Sequence, residues 1–257
     1  MTELVQFEWV ESVAVLTLNR PERHNSLIPE LLEALLQQLE KVEANSDARA
    51  AVLQANGRSF STGGDVGGFM AHLDTLESYA LRIVGLLNQT ILSLLTLPVP
   101  VVTAVQGIVT GGSMGLVLAS DLVLVAPEAS FTPYYSVVGF SPDGGWTALL
   151  PAIIGTKRAA AILMQNRGIA ADEAQEWGLA DRVVNSERIR QEALLAAQDI
   201  ADKKPGSVQH TKRLLLAGLG DVAGRLEQER IRFGQQIITP EAQAGMAAFL
   251  DRRRKAA

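Results

Sequence analysis

The sequence predicts an α/β protein whose first half pairs strands mainly in parallel and whose last third is a helical extension. Short apolar runs alternate with stretches of helical periodicity from Val13 to Ala126. Two of those runs end in glycine-rich loops that lead into helix-like sequence, at Ser61–Val66 and Thr110–Leu116. From Thr156 onward the periodicity is almost wholly helical.

Taken in order, "VAVLTLN" (Val13–Asn19) reads as a short apolar strand. Leu27, Leu31, Leu35, Leu39 and Val42 then form a helical stripe, with Pro29 in the first turn, where its missing N–H does little harm. "AAVLQA" (Ala50–Ala55) is a strand closed by the turn signal Asn56-Gly57. After the first glycine loop a helix is expected from about Asp74 to Leu95. "PVPVVTAVQG" (Pro98–Gly107) and "DLVLVA" (Asp121–Ala126) are further strands. A turn-rich stretch around "FSPDGGWT" (Phe140–Thr147) follows, then helices over 156–165, 172–177, 187–201, 207–217, 221–236 and 240–253.

Composition narrows the function. The 257 residues are 47% hydrophobic and 20% charged, with a formal net charge of −5, so a general nucleic-acid binder is disfavoured. There is no cysteine, which excludes disulfide and thiolate chemistry and fits a cytoplasmic protein. No charge occurs between Arg82 and Asp121, but Asn88, Gln89, Pro98, Pro100 and Gly107 interrupt that run, so it reads as buried core and no membrane partner is expected. His24, His72 and His210 have no metal-ligand spacing, and no metal site is expected.

The glycine loops are the first candidate site. Neither matches G-x-G-x-x-G or G-x-x-x-x-G-K-[ST], so a nucleotide cradle is disfavoured, and tight strand–helix turns remain the bland alternative. What two such loops can supply is a pair of backbone N–H donors converging on one oxygen, reinforced by the helix dipole if Gly112 opens a helix. That apparatus suits a thioester enolate, and it lacks only a base. Asp143, in "SPDGG", is the candidate: Pro-Asp-Gly is also a favoured turn, and both readings stand at this point.

"NRPERHNSL" (Asn19–Leu27), "FSTGGDV" (Phe60–Val66), "AVQGIVTGGSMGLVLASDLVLVA" (Ala104–Ala126) and "GIAADEAQEWGLADRVV" (Gly168–Val184) together resemble the crotonase superfamily, the enoyl-CoA hydratase/isomerase family. The resemblance covers nearly the whole chain. It implies a ββα spiral core over residues 1–200 carrying a CoA-thioester site, and a helical trimerisation region over 201–257. Homotrimers or homohexamers, an acyl-CoA ligand and no separate cofactor are implied with it. On this mapping Gly64 and Gly112 hold the oxyanion N–H groups. Arg23, His24, Ser61, Thr62, Gly63, Asp65, Val66, Gly111 and Tyr135 are implied substrate or CoA contacts, with Asp65 read as a loop or helix cap. The basic run Asp251–Lys255 reads as a solvated helix end that could also meet a CoA phosphate.

Hydratases of the family carry one Glu after the second glycine loop and another before the "G-x-x-P"-like turn; Gly115 and Tyr135 stand at those positions here. "VGFSPDGG" instead resembles the family's isomerases, with Asp143 as the proton carrier. Three alternatives accompany this reading: a hydratase-like lyase, an aryl-CoA dehalogenase or hydrolase with Asp143 as nucleophile, and a non-catalytic CoA-binding member.

Overall fold

The computed structural model describes residues 3–256, apart from the side chains of residues 253, 254 and 256. Arg253 and Arg254 of the C-terminal basic run therefore lie outside the described side chains.

β1 (Val5–Val10) and β2 (Val13–Leu18) form an antiparallel hairpin. α1 (Pro29–Ala44) carries the chain to β3 (Ala50–Ala55), which lies parallel to β2 with Leu16 opposite Leu53. α2 (Val66–Ala71) and α3 (Leu76–Thr96) precede β4 (Val101–Val105), then come β5 (Ile108–Thr110), α4 (Met114–Leu118), β6 (Leu122–Val125) and β7 (Ser130–Thr132). α5 (Tyr135–Val138), α6 (Leu150–Ile154), α7 (Thr156–Gln165), β8 (Ile169–Ala170), α8 (Ala171–Glu176) and β9 (Arg182–Val183) follow. α9 (Ile189–Ala201), α10 (Pro205–Ala217), α11 (Val222–Ile237) and α12 (Pro240–Ala256) complete the chain.

The main sheet runs β1-β2-β3-β4-β6-β9 and is parallel from β2 onward; a small sheet runs β5-β7-β8. β2, β3 and β4 are buried at every residue because both faces are covered, which is why they read as unbroken apolar runs. The two-residue pleat divides them between two cores. Ala14, Leu16, Leu18, Ala51, Leu53 and Ala55 face a large core with α1 and α3; Val13, Val15, Ala50, Val52, Val102 and Ala104 face a smaller one. There Ile189, Ala193 and Ala197, spaced four apart on α9, cover the sheet.

α3 is the one helix among the described residues long and apolar enough to span a bilayer, and it is a core helix packed against α1 and α11. Its Asn88 side-chain amide donates to the Leu226 carbonyl of α11 at 3.0 Å. Val222, Leu226, Phe233 and Ile237 of α11 belong to the same core as Leu16 and Leu53, so the C-terminal helices and the sheet share one interior. Lys212 of α10 closes the end of α3: its buried ammonium donates to Leu94 O (2.9 Å), Val99 O (3.1 Å) and Asp121 (2.8 Å).

Five strands depart from the expected element list. β1 has only Val5 buried, so its edge position left no apolar run. β5, β7, β8 and β9 are two or three residues long, too short for a period to show, and β8 and β9 lie in the region expected to be almost wholly helical.

Candidate active site

The two glycine loops touch. Ser61 bridges Val109, its N–H donating to Ile108 O at 3.2 Å while its carbonyl accepts from Thr110 N–H at 3.1 Å. Gly63 packs beside them with φ +70°, and a Cβ there would stand 2.5 Å from the Thr110 carbonyl oxygen, so only glycine fits this crossing. Gly64 forms a parallel bridge with Leu27 that uses its neighbours instead: Leu27 N–H donates to Gly63 O and Asp65 N–H to Leu27 O. That pattern directs the Gly64 N–H away from Leu27. Gly112 is the middle residue of a single 3-10 turn, Gly111–Ser113, where the first N–H groups have no acceptor within the turn. The helix that follows, α4, has five residues, so its dipole is small.

Asp143 lies directly behind Gly112. A Cβ on Gly112 would stand 3.1 Å from each of its carboxylate oxygens and 2.7 Å from Leu87 Cδ2 of α3. The carboxylate is 5% exposed, whereas Gly64 and Gly111 in front are half-buried. Tyr135 donates its hydroxyl to Asp143 Oδ1 at 2.5 Å and lies 3.0 Å from the Asp143 carbonyl oxygen. Burial pushes the Asp143 pKa up to about 7, with the Tyr135 hydrogen bond opposing and the negative charge of Glu229 adding to the rise. Burial and the adjacent Asp143 charge push the Tyr135 phenol up, so it stays a donor. Gly144, at φ +62°, would place a Cβ 2.4 Å from Gly112 O, which explains the glycine after the aspartate.

The two positions where hydratases of the family carry Glu are both closed. A Cβ at Gly115 would lie 2.4 Å from Ile91 Cδ1 and 2.8 Å from Gly144 O. Tyr135 fills the other position and spends its hydroxyl on Asp143.

The remaining expected residues divide by geometry. Asp65 is the N-cap of α2, accepting Gly68 N–H at 3.3 Å, and pairs with Arg20 (3.2 Å) and Arg23 (3.4 Å). Burial acts to raise its carboxyl, but the Arg20 hydrogen bond and the Arg23 charge outweigh it and hold the pKa below the usual value. Arg23 is half exposed beside it, and His24 Nδ1 lies 3.2 Å from Ser59 Oγ with Arg58 against the ring. Thr62 and Val66 are half-buried at the loop mouth. Ser61 is fully buried, and its hydroxyl donates to Asn25 O at 2.7 Å, so its side chain is a strut between loops. Gly111 presents its carbonyl to Trp146 Nε1 at 2.8 Å.

One residue escaped the sequence reading. Glu229 of α11 is 5% exposed and accepts four hydrogen bonds from the segment just after Asp143: Gly145 N (2.8 Å), Thr147 N (2.8 Å), Thr147 Oγ1 (2.6 Å) and Ala148 N (2.9 Å). A signal existed. Val222, Leu226, Glu229, Phe233 and Ile237 occupy one helical stripe, and an acid at a core position of that stripe needs an explanation.

The family model described as enoyl-CoA hydratase/isomerase matches residues 8–256. The chain belongs to the enoyl-CoA hydratase/isomerase family. Its crotonase fold is that of an enoyl-CoA hydratase/isomerase from Mycobacterium paratuberculosis, with a TM-score of 0.89 at 26% identity over 96% of this chain and 99% of that one. It is 32% identical over 253 residues to a probable enoyl-CoA hydratase of Mycobacterium tuberculosis, covering 94% of this chain and 87% of that protein. It is 30% identical over 257 residues to the 1,2-epoxyphenylacetyl-CoA isomerase of Escherichia coli, covering 98% and 97%. Membership makes this chain an enzyme of CoA-thioester chemistry, and the relatives' names include both hydratase and isomerase.

Proposed function

We propose that this family member is an acyl-CoA isomerase that shifts a carbon–carbon double bond through a thioester enolate. The observation that carries the reading is a single buried carboxylate, Asp143, set against Gly112, with both family hydratase positions closed by Ile91, Gly144 and Tyr135. Hydration calls for one group to activate water and another to manage the α-proton; a double-bond shift needs one group that takes a proton and gives it back. A carboxyl poised at about 7 suits both halves of that cycle near neutral pH.

In the forward step ionised Asp143 removes a proton from C2 of a 3-enoyl thioester. The electron pair moves onto the thioester oxygen, where the Gly64 and Gly112 N–H groups stabilise the charge; such a donor is worth about 10²–10³ in rate. Protonated Asp143 then returns its proton to C4, leaving the 2-enoyl product. The CoA portion runs past Arg23, His24 and the mouth residues Thr62 and Val66. The assembly is a homotrimer or homohexamer in the cytoplasm, with residues 201–257 contributing to the subunit contacts.

The test is proton NMR of the protein with a 3-enoyl-CoA in D2O, beside Asp143→Asn. Conversion to the 2-enoyl isomer, lost in the variant, is the expected result. A 3-hydroxyacyl product, or conversion that survives the substitution, would replace this reading.

A further inference from the structure

Glu229 has no part in the proton cycle just described, yet it is one of the most fully bonded side chains in the molecule. Its carboxylate is buried, which pushes its pKa up, and it accepts from four donors, which favour the charged form and oppose that rise. All four donors belong to residues 145–148, two to five positions after Asp143. One turn earlier on α11, Arg225 donates to Thr147 O at 2.5 Å, so the same helix grips that segment by both kinds of backbone group. A carboxylate supplied in trans to the opening N–H groups of a helical turn is an ordinary capping device. Nothing in capping, however, calls for burial of a full charge beside a second buried carboxylate.

We propose that Glu229 is a positioning residue: from the C-terminal helix it anchors the turn that carries Asp143 and sets the electrostatic field on the Asp143 carboxylate. The proposal rests on Asp143 being the reacting carboxyl. The groups around Asp143 leave few other sources of field among the described residues. α5 supplies the Tyr135 hydroxyl, the second glycine loop supplies Gly112, α3 supplies the apolar Leu87, and α11 supplies Glu229. Arg225 is spent on Thr147 O, and Arg230 is paired with Glu227 at 2.6 Å. The charge of Glu229 acts in the same direction as burial, disfavouring ionised Asp143 and making it a stronger base once ionised.

The experiment is a carbon-13 NMR titration of labelled aspartate and glutamate carboxyls, read beside the pH profile of turnover. In Glu229→Gln, which keeps the size and loses the charge, the Asp143 midpoint is expected to move down from about 7. The acid limb of turnover should move with it, and kcat should fall about tenfold or more with little change in KM. A cap without electrostatic work would leave the midpoint in place, and that result overturns the proposal.

If Glu229→Gln does not fold, the same titration of the unmodified protein decides the matter, because Glu229 can bias Asp143 only if it is charged before Asp143 loses its proton. The Glu229 midpoint must then lie below that of Asp143; a midpoint above it overturns the proposal. Neither titration uses substrate. A shifted midpoint without isomerase turnover would sink the assigned reaction and leave the positioning role standing, and the converse separates them equally well.

Discussion

Tyr135 and Asp143 share one hydrogen bond, 2.5 Å from phenol to Oδ1, between side chains that are 4% and 5% exposed. The donor stabilises the ionised carboxyl, so it opposes the burial that raises the pKa. Tyr135→Phe should therefore raise the Asp143 midpoint from about 7, by about one unit for a charged hydrogen bond. Turnover at pH 6.5 should fall about tenfold and recover toward alkaline pH, as a pH–rate profile will show. An acid limb that does not move would remove Tyr135 from the site's electrostatics.

Asp143 is held at a cost to stability whose sign follows from its raised pKa. The folded protein keeps the Asp143 proton from the ordinary value of 3.8 up to about 7, where the unfolded chain has lost it. Stability therefore falls as pH rises through that window, by up to about 4 kcal/mol. Asp143→Asn should be inactive and more stable at pH 8, with no gain at pH 4. Denaturant melts at the two pH values decide the matter: equal effects at both would contradict the buried, protonated picture.

The two glycines proposed to hold the oxyanion, Gly64 and Gly112, should respond differently to a methyl group. At Gly112 it would press on Leu87 and both Asp143 oxygens, so Gly112→Ala should cost turnover about 10²-fold or more while keeping the N–H donor. At Gly64 it would meet the Phe69 ring edge at 3.0 Å, a side chain that can yield, so Gly64→Ala should keep most activity. Comparable losses in both variants would contradict the packing argument.

Restoring the first hydratase carboxylate should fail for steric reasons. Gly115→Glu must displace Ile91 and the Gly144 carbonyl, so loss of folded protein is expected, and even Gly115→Ala should cost about 1–3 kcal/mol. A soluble Gly115→Glu variant that hydrates a 2-enoyl-CoA would show that the pocket is far more yielding than its packing indicates.

Lys212 offers a test away from the chemistry. Its ammonium joins the Leu94 carbonyl of α3 and the Val99 carbonyl beyond it to Asp121, and burial pulls its pKa down while Asp121 opposes. Lys212→Met removes the buried ammonium and leaves the Leu94 and Val99 carbonyls without it, beside an Asp121 that water reaches, and should destabilise the fold by about 1–3 kcal/mol. Thermal melts measure it, and a change below about 1 kcal/mol would mean that water replaces the ammonium.

Much of this protein was legible in one dimension. Buried strands such as Ala50–Ala55 announced themselves as continuous apolar runs because both of their faces are covered. The glycine loops were legible because close backbone approach leaves few residue choices there. Helices α9 and α11 showed their periods.

The tertiary structure alone decided the rest, since those properties depend on partners far apart in the chain. Short strands such as Ile169–Ala170 exist only because β7 is there to pair with them. Only folding turns the Ser61 hydroxyl onto the Asn25 carbonyl, 36 residues back in the chain. The Asp143 carboxyl takes its properties from Tyr135 eight residues away and from Glu229 across 86 residues of sequence. Sequence could name the carboxyl, but the pKa of a group is set by the medium and charges around it, and only the packed fold places those.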